Sequence, residues 1–275
     1  MPELPEVETV CRALHRRLPG CSIRSVEVFR PRTIAPLLVR QFCRSLRGAK
    51  IASLKRRGKY LVFHFASPRN RQPMMLLTHL RMTGNLCLVS PGQPLPSAVS
   101  LLFHLSGGKR LVLDDRRGLA ICQLFSAAEA TKRLSRLGVE PLSSQFTPQK
   151  LFEITRQRRL PIKVFLLEQH YMAGLGNVYA VEALFRARIH PKLLSARLSL
   201  RRTRKLHQAI VGVLKNAVKS AVRGYRQPTG LGPGETFRPQ VYGREGEECR
   251  NCGSLIHRCI LRARSTFYCQ RCQRM

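Results

Sequence analysis

The chain has 275 residues, 44% of them hydrophobic, enough to bury one large core or two medium ones. Its 49 Lys and Arg against 15 Asp and Glu give a net charge of +34, a balance that argues about partners rather than fold. A polyanion is the natural partner and nucleic acid the first candidate; an anionic membrane surface is the rival, weakened because no apolar run reaches the length of a bilayer span.

In chain order, the opening MPELPEVETV lacks the basic-then-apolar layout of a signal peptide, so a cytoplasmic protein is expected. Apolar residues at Val7, Val10, Cys11, Leu14 and Leu18 predict a helix over Glu6–Leu18, ended by Pro19-Gly20. From Ser22 to about Phe125 the texture is β-rich. Runs such as SIRSVEVF, KYLVFHF, SLLFHL, KRLVL and LAICQLF, separated by Gly, Pro and Ser, predict an antiparallel sandwich or barrel. Acids are absent from Val28 to Leu113 and again from Ala183 to Gly234. After Ala127 the pattern turns helical: AAEATKRLSRLG, then LFEITRQRRLPIKVFLLEQ broken before Pro161, then NVYAVEALFRAR after the turn AGLGN. A long helix follows, with Gly224 as its stop signal. Arg226–Pro239 reads as a Pro- and Gly-rich loop, and no internal repeat is present. The expected organisation is α+β: a catalytic β domain with its N-terminal helix at 1–126, a helical domain at 127–239 and a small metal-bound tail at 240–275.

The sharpest local signal is in that tail. Cys249-x2-Cys252, sixteen residues, then Cys269-x2-Cys272 can bring four thiolates to one tetrahedral Zn²⁺. The other six cysteines, Cys259 included, read as small core hydrophobes. The second signal is the chain start. Glu3, Glu6 and Glu8 cluster in a protein otherwise poor in acid. Helix-dipole stabilisation explains Glu8 adequately. Pro2 invites a sharper reading. Initiator Met is normally removed before a small residue, and the mature chain would then begin with a secondary amine. An α-amino group has a reference pKa of about 7.7–8.0, so a useful fraction is unprotonated near neutral pH. Such an amine can attack a sugar C1′ and form an iminium, with Glu3 shuttling protons.

These residues resemble a known signature. MPELPEVETV is similar to the start of bacterial formamidopyrimidine-DNA glycosylases. The resemblance continues through RRGKYL (56–61), HLRMTGNL (79–86), DDRRG (114–118), LLEQHYMAGLGNVYAVEALFRARIHP (166–191), QVYGREGEEC (240–249) and STFYCQRCQ. PELPE favours this branch over the endonuclease VIII branch, which typically starts with a PEGPE-like motif. The resemblance implies an N-terminal β-sandwich, a helix-two-turn-helix domain and a C-terminal β-hairpin zinc finger carrying one structural Zn²⁺. It implies a bacterial, nucleoid-associated monomer that acts on double-stranded DNA holding oxidised bases or abasic sites. The activity implied is removal of oxidised purines (formamidopyrimidines and 8-oxoguanine) with abasic-site lyase chemistry and a flipped-out base.

Carried over residue by residue, the resemblance makes Pro2 the nucleophile, Glu3 the acid/base and Glu6 a supporting carboxylate. Lys59 would hold a phosphate, and Lys163 would stand near the active site. Asn177 and Arg264 would bind phosphate, and Met82 and Arg116 would fill the hole left by the flipped base. Bland readings compete: a solvated charge for Lys59, a helix cap for Asn177 and a core side chain for Met82. The sequence departs from the family at three places. Where the family has D-P-R-R-F-G, this chain has Asp114-Asp115-Arg116-Arg117-Gly118-Leu119. The wedge Phe is missing, and Leu119 is the partial substitute. The stretch PSAVSLLF lacks the family's histidine. The loop from Gly224 to Gln240 is short, which predicts weaker selectivity for 8-oxoguanine. The competing functional readings are a damaged-DNA binder without catalysis and a glycosylase shifted toward oxidised pyrimidines and abasic sites.

Overall fold

The computed structural model describes residues 2–66, 72–156, 158–226, 230–231 and 237–275. Met1 lies outside them, and so does much of the Gly224–Gln240 loop. The chain forms two compact units, Met1–Arg136 with Ala221–Glu235 and Leu137–Ser220 with Thr236–Met275. Among the described residues, no helix is long and apolar enough to cross a membrane.

The first unit begins with helix α1, Leu4–Leu14. It starts two residues earlier than the apolar spacing suggests, because the extended Glu3 caps it and Pro5 suits a first turn. Two four-stranded antiparallel sheets follow. One, in the order β1-β6-β7-β5, is made of Ile23–Val28, Val99–Leu105, Arg110–Asp114 and Asn85–Val89. The other, in the order β2-β3-β4-β8, is made of Ile51–Arg57, Tyr60–Phe65, Met74–His79 and Ile121–Ser126. The inner faces of both share a core with Val7, Val10 and Leu14 of α1. Alternation sorts the faces: Leu61, Phe63 and Phe65 point into that core. Tyr60 and Val62 point the other way, toward Ala130 and Leu134 of α3 (Ala127–Ser135). The expected sandwich is therefore present.

One helix was not foreseen. α2, Val39–Leu46, interrupts the β-rich stretch and buries Phe42 and Leu46, four residues apart on one face. Of the six spare cysteines, Cys11, Cys87 and Cys122 are core residues, and burial pushes their thiols to about 11, 12 and 12. Cys21, Cys43 and Cys259 are only half-buried.

The second unit carries α4 (Pro148–Arg156), α5 (Ile162–Leu167), α6 (Asn177–Arg186) and most of α7 (Leu200–Gly224). The break between α4 and α5 falls before Pro161, as proline requires. After two short strands, β9 (Tyr225–Arg226) and β10 (Gly230–Leu231) of the first unit, the chain ends in a hairpin of β11 (Ile256–Leu261) and β12 (Arg264–Cys269).

Candidate active site and metal centre

In the first unit the site is built around the start of α1. Pro2 is buried and Glu3 is fully buried. Glu3 sits at the helix cap, and its N–H donates to Glu6 Oε2 at 2.8 Å while its carbonyl accepts from Val7 N–H at 3.1 Å. Glu6 therefore fixes the backbone of its neighbour, which is the reaching-back half of a capping box. Glu8 does more than meet the helix dipole. Its two oxygens accept from Arg12 Nε and Arg56 Nε, both at 2.7 Å. Burial raises its pKa, and the two arginines outweigh that and hold it below the usual carboxylate range.

Lys59 occupies the tight turn between β2 and β3. Arg57 pairs with Tyr60 in that ladder, so Gly58 and Lys59 are the turn itself. Gly58, at φ +56°, takes the first position, which such two-residue hairpins give to glycine. His79 was not singled out by sequence reasoning. Its ring lies edge-on to Tyr60 at 4.9 Å. Its Nδ1 accepts from Arg81 N–H at 3.0 Å. Burial first, then the charges of Arg81 and Lys59, push its pKa down to about 3. A neutral imidazole thus stands in the field of Lys59.

Two loops carry the expected wedge residues. Met82 is 36% exposed, so the core reading of this side chain fails. Arg116 is exposed. Asp115, fully buried, ties the loops together: it accepts from Thr83 Oγ1, from Arg117 N–H at 3.2 Å and from Ala120 N–H at 2.7 Å. Arg30 and Arg32 cap the same turn through the carbonyls of Asp115 (2.6 Å) and Arg117 (3.2 Å). Gly118 has φ +58°, and a Cβ there would lie 2.4 Å from Arg30 Nη1 and 2.6 Å from Arg32 Nη2. A phenylalanine does not fit at 118 while those guanidinium groups stay in place. The exposed apolar side chain of this turn is Leu119, 41% exposed.

In the second unit, Asn177 is the first residue of α6. The cap is Gly176, so the side chain is not an ordinary N-cap. Its Nδ2 donates to Ser265 O of β12 at 2.9 Å, and its Oδ1 is buried with no hydrogen-bond partner among the described residues. Gln169 holds the preceding turn by accepting from Gly174 N–H (2.9 Å) and donating to Leu175 O (2.8 Å). The tip of the finger hairpin is fixed through Arg262, which donates to Glu168. Arg264, one residue before Ser265, is exposed. Lys163 on α5 is fully buried, and its Nζ has no hydrogen-bond partner among the described residues. Burial, then the charge of Arg264, lowers its pKa to about 8. Glu182, also unforeseen, is 3% exposed and accepts from the N–H groups of Gln240, Val241 and Tyr242 at 2.8, 2.9 and 2.9 Å. It locks the chain entering the finger onto α6.

The ligand atoms of Cys249, Cys252, Cys269 and Cys272 lie within 4.8 Å of one another. Sγ–Sγ distances of 3.9 Å (Cys249–Cys272) and 3.5 Å (Cys252–Cys269) bracket the roughly 3.8 Å edge of a tetrahedron with metal–sulfur bonds of about 2.3 Å. Gly253, at φ +75°, lets the first knuckle close, its N–H reaching Cys249 O at 2.8 Å. Gln273 closes the second: it accepts from Cys269 N–H at 3.0 Å and donates to Ile189 O at 2.9 Å. This set of four cysteines can bind a metal ion.

Two family models match: the formamidopyrimidine-DNA glycosylase N-terminal domain over residues 1–122 and the H2TH domain of the same enzymes over residues 137–228. The chain belongs to the formamidopyrimidine-DNA glycosylase family. A Synechocystis member is 39% identical over 99% of this chain and 98% of its own length. A Symbiobacterium thermophilum member is 41% identical over 99% of this chain and 89% of its own length. The Lactococcus lactis Fpg, solved in complex with DNA containing an abasic site, superposes with a TM-score of 0.87 at 33% identity, covering 99% of this chain and all of that one. The same enzyme solved with DNA containing an oxidised pyrimidine gives a TM-score of 0.86 at 33% identity over the full length of both chains.

Proposed function

We infer that this chain is a base-excision repair enzyme, a bifunctional DNA glycosylase and abasic-site lyase that removes oxidised purines from double-stranded DNA. The observation that carries the reading is the carboxylate-braced chain start, with Glu6 holding Glu3 beside a buried Pro2, in a member of this family. The amine of Pro2 attacks C1′ and forms the N–C1′ bond as the bond to the damaged base breaks. Glu3 supplies the proton that opens the sugar ring, and an iminium results. Loss of a proton from C2′ expels the 3′ phosphate. A second elimination expels the 5′ phosphate, and water then releases the sugar remnant. Lys59 and Lys163 serve as cationic contacts in the active site. Asn177, at a helix start, and Arg264 hold phosphate. Met82 and Leu119 supply the apolar wedge, with Arg116 beside them. The four thiolates take one Zn²⁺, whose role is structural: it fixes the knuckles that carry the hairpin bearing Arg264.

Borohydride trapping on abasic-site duplex tests the mechanism. The expected result is a covalent adduct that disappears in Pro2→Gly; a chain that binds the duplex and forms no adduct is a damaged-DNA binder instead. Lesion preference is tested separately. The short 224–240 loop leads us to expect slower excision of 8-oxoguanine than of formamidopyrimidine, and equal rates opposite cytosine would refute that.

A further inference from the structure

We propose that Arg56 is a positioning residue for the reaction, setting the start of α1 and the Lys59 turn against each other. The proposal rests on the roles given above to Pro2 and Lys59. Those residues sit on separate elements, the N-terminus of α1 and the tip of the β2–β3 hairpin, and Arg56 grips both. Its Nε donates to Glu8 Oε2 at 2.7 Å, and its Nη1 donates to Gly58 O at 3.0 Å. Glu8 lies on α1, less than two turns after Glu3. Gly58 is the residue before Lys59, in the turn whose left-handed φ is already imposed. The guanidinium side chain is only 10% exposed and Glu8 19%. A charge-assisted pair this far from water is stiffer and stronger than a surface one. Arg12, 56% exposed, holds Oε1 of Glu8 and leaves Oε2 aimed at Arg56.

Fork geometry is what sets arginine apart at this position. A guanidinium reaches a carboxylate and a carbonyl at once from two nitrogens; a lysine ammonium can keep the charge and the Glu8 pair but cannot span both acceptors. Arg56→Lys therefore separates a positioning role from a purely structural one. Misplacement of reacting groups by about 1 Å can cost up to about 10²-fold in rate.

The test uses the full chain and an abasic-site duplex, with borohydride-trapped adduct read under single-turnover conditions. Duplex affinity and thermal midpoint are measured on the same samples. Arg56→Lys is expected to trap adduct tenfold or more slowly at saturation, with the half-saturating concentration and the affinity within about twofold of the unmodified protein, and the midpoint nearly unchanged. Adding Glu8→Gln to Arg56→Lys is expected to slow the reaction little further, because the two residues act through one tie. Adduct formation by Arg56→Lys at the unmodified rate would overturn this proposal alone, as would a rate loss that only follows a fall in affinity or stability. Absence of adduct in the unmodified protein would overturn the parent reading and this one with it.

Discussion

Glu182 offers the most direct test of how the finger is attached. Its carboxylate is 3% exposed and takes three N–H donors at 2.8–2.9 Å from consecutive residues, one of them Val241, which is fully buried. Hydrogen bonds to a charged acceptor contribute about 1.5–3 kcal/mol each, and a buried donor left without a partner costs about 1–3 kcal/mol. In Glu182→Ala, water can reach the amides of exposed Gln240 and half-buried Tyr242 but not that of Val241. The expected loss is therefore about 3–6 kcal/mol, less than three full bonds. At about 2–4 °C per kcal/mol for a domain of this size, the melting midpoint should fall by about 10–20 °C. Glu182→Gln keeps one oxygen for Val241 and Tyr242 and turns an amide NH₂ toward Gln240 N–H, so about 2 kcal/mol is expected. Thermal unfolding near neutral pH, with duplex affinity measured alongside, reads both variants. If Glu182→Ala stays within about 0.5 kcal/mol of the unmodified protein, or Gln proves worse than Ala, the three-donor lock is not what holds this segment.

Four further outcomes are expected. Elemental analysis should find one zinc per chain, lost in Cys269→Ala together with most of the duplex affinity. Arg264→Ala should weaken duplex binding for all sequences alike and lower the slope of log affinity against log salt by about 0.9; an unchanged slope would remove Arg264 from the phosphate contacts. Gly118→Phe, although it puts the family's aromatic into the motif, should weaken lesion binding because φ +58° is strained for a residue with a Cβ, and that Cβ would also displace the guanidinium tips of Arg30 and Arg32 from the turn, whereas Leu119→Phe should preserve or strengthen it. His79 has a folded pKa of about 3, below its ordinary 6.5, so its contribution is complete above pH 6.5. As pH falls from 6.5 toward 3 the unfolded chain takes the proton first and stability drops. His79→Asn should flatten that limb in acid-unfolding curves.

What the sequence made legible, and what it hid, divide along physical lines. The cysteine knuckles were readable because metal geometry constrains spacing within a short segment. The strands were readable because short runs rich in aromatic and branched residues, such as Tyr60–Phe65, stand between Gly, Pro and Ser clusters. α2 was hidden because eight residues with two buried side chains make too weak a helical signal inside a β-rich stretch. Arg56, Asp115 and Glu182 were hidden for another reason. Their partners lie 48, 32 and up to 60 residues away, and a single sequence does not announce which distant group a charged side chain will meet. Gly118 shows the limit of matching a motif letter by letter. The letter that changed sits at a left-handed backbone position, φ +58°, with the guanidinium tips of Arg30 and Arg32 packed over it, and the exposed apolar side chain is its neighbour.

The second cysteine knuckle has a consequence for the cell. Gln273 joins Cys269 N–H to the carbonyl of Ile189, so the fold of the metal loop is stitched to the segment that follows α6. The hairpin bearing Arg264 is likewise held to α6 by Asn177. With the roles proposed for the four thiolates and Arg264, loading of the metal would act as a licence for nucleic-acid engagement. A freshly made chain in a zinc-starved cell would carry its chemistry at one end and lack a firm grip at the other, so scarcity of a trace element would reach the genome as unrepaired oxidation.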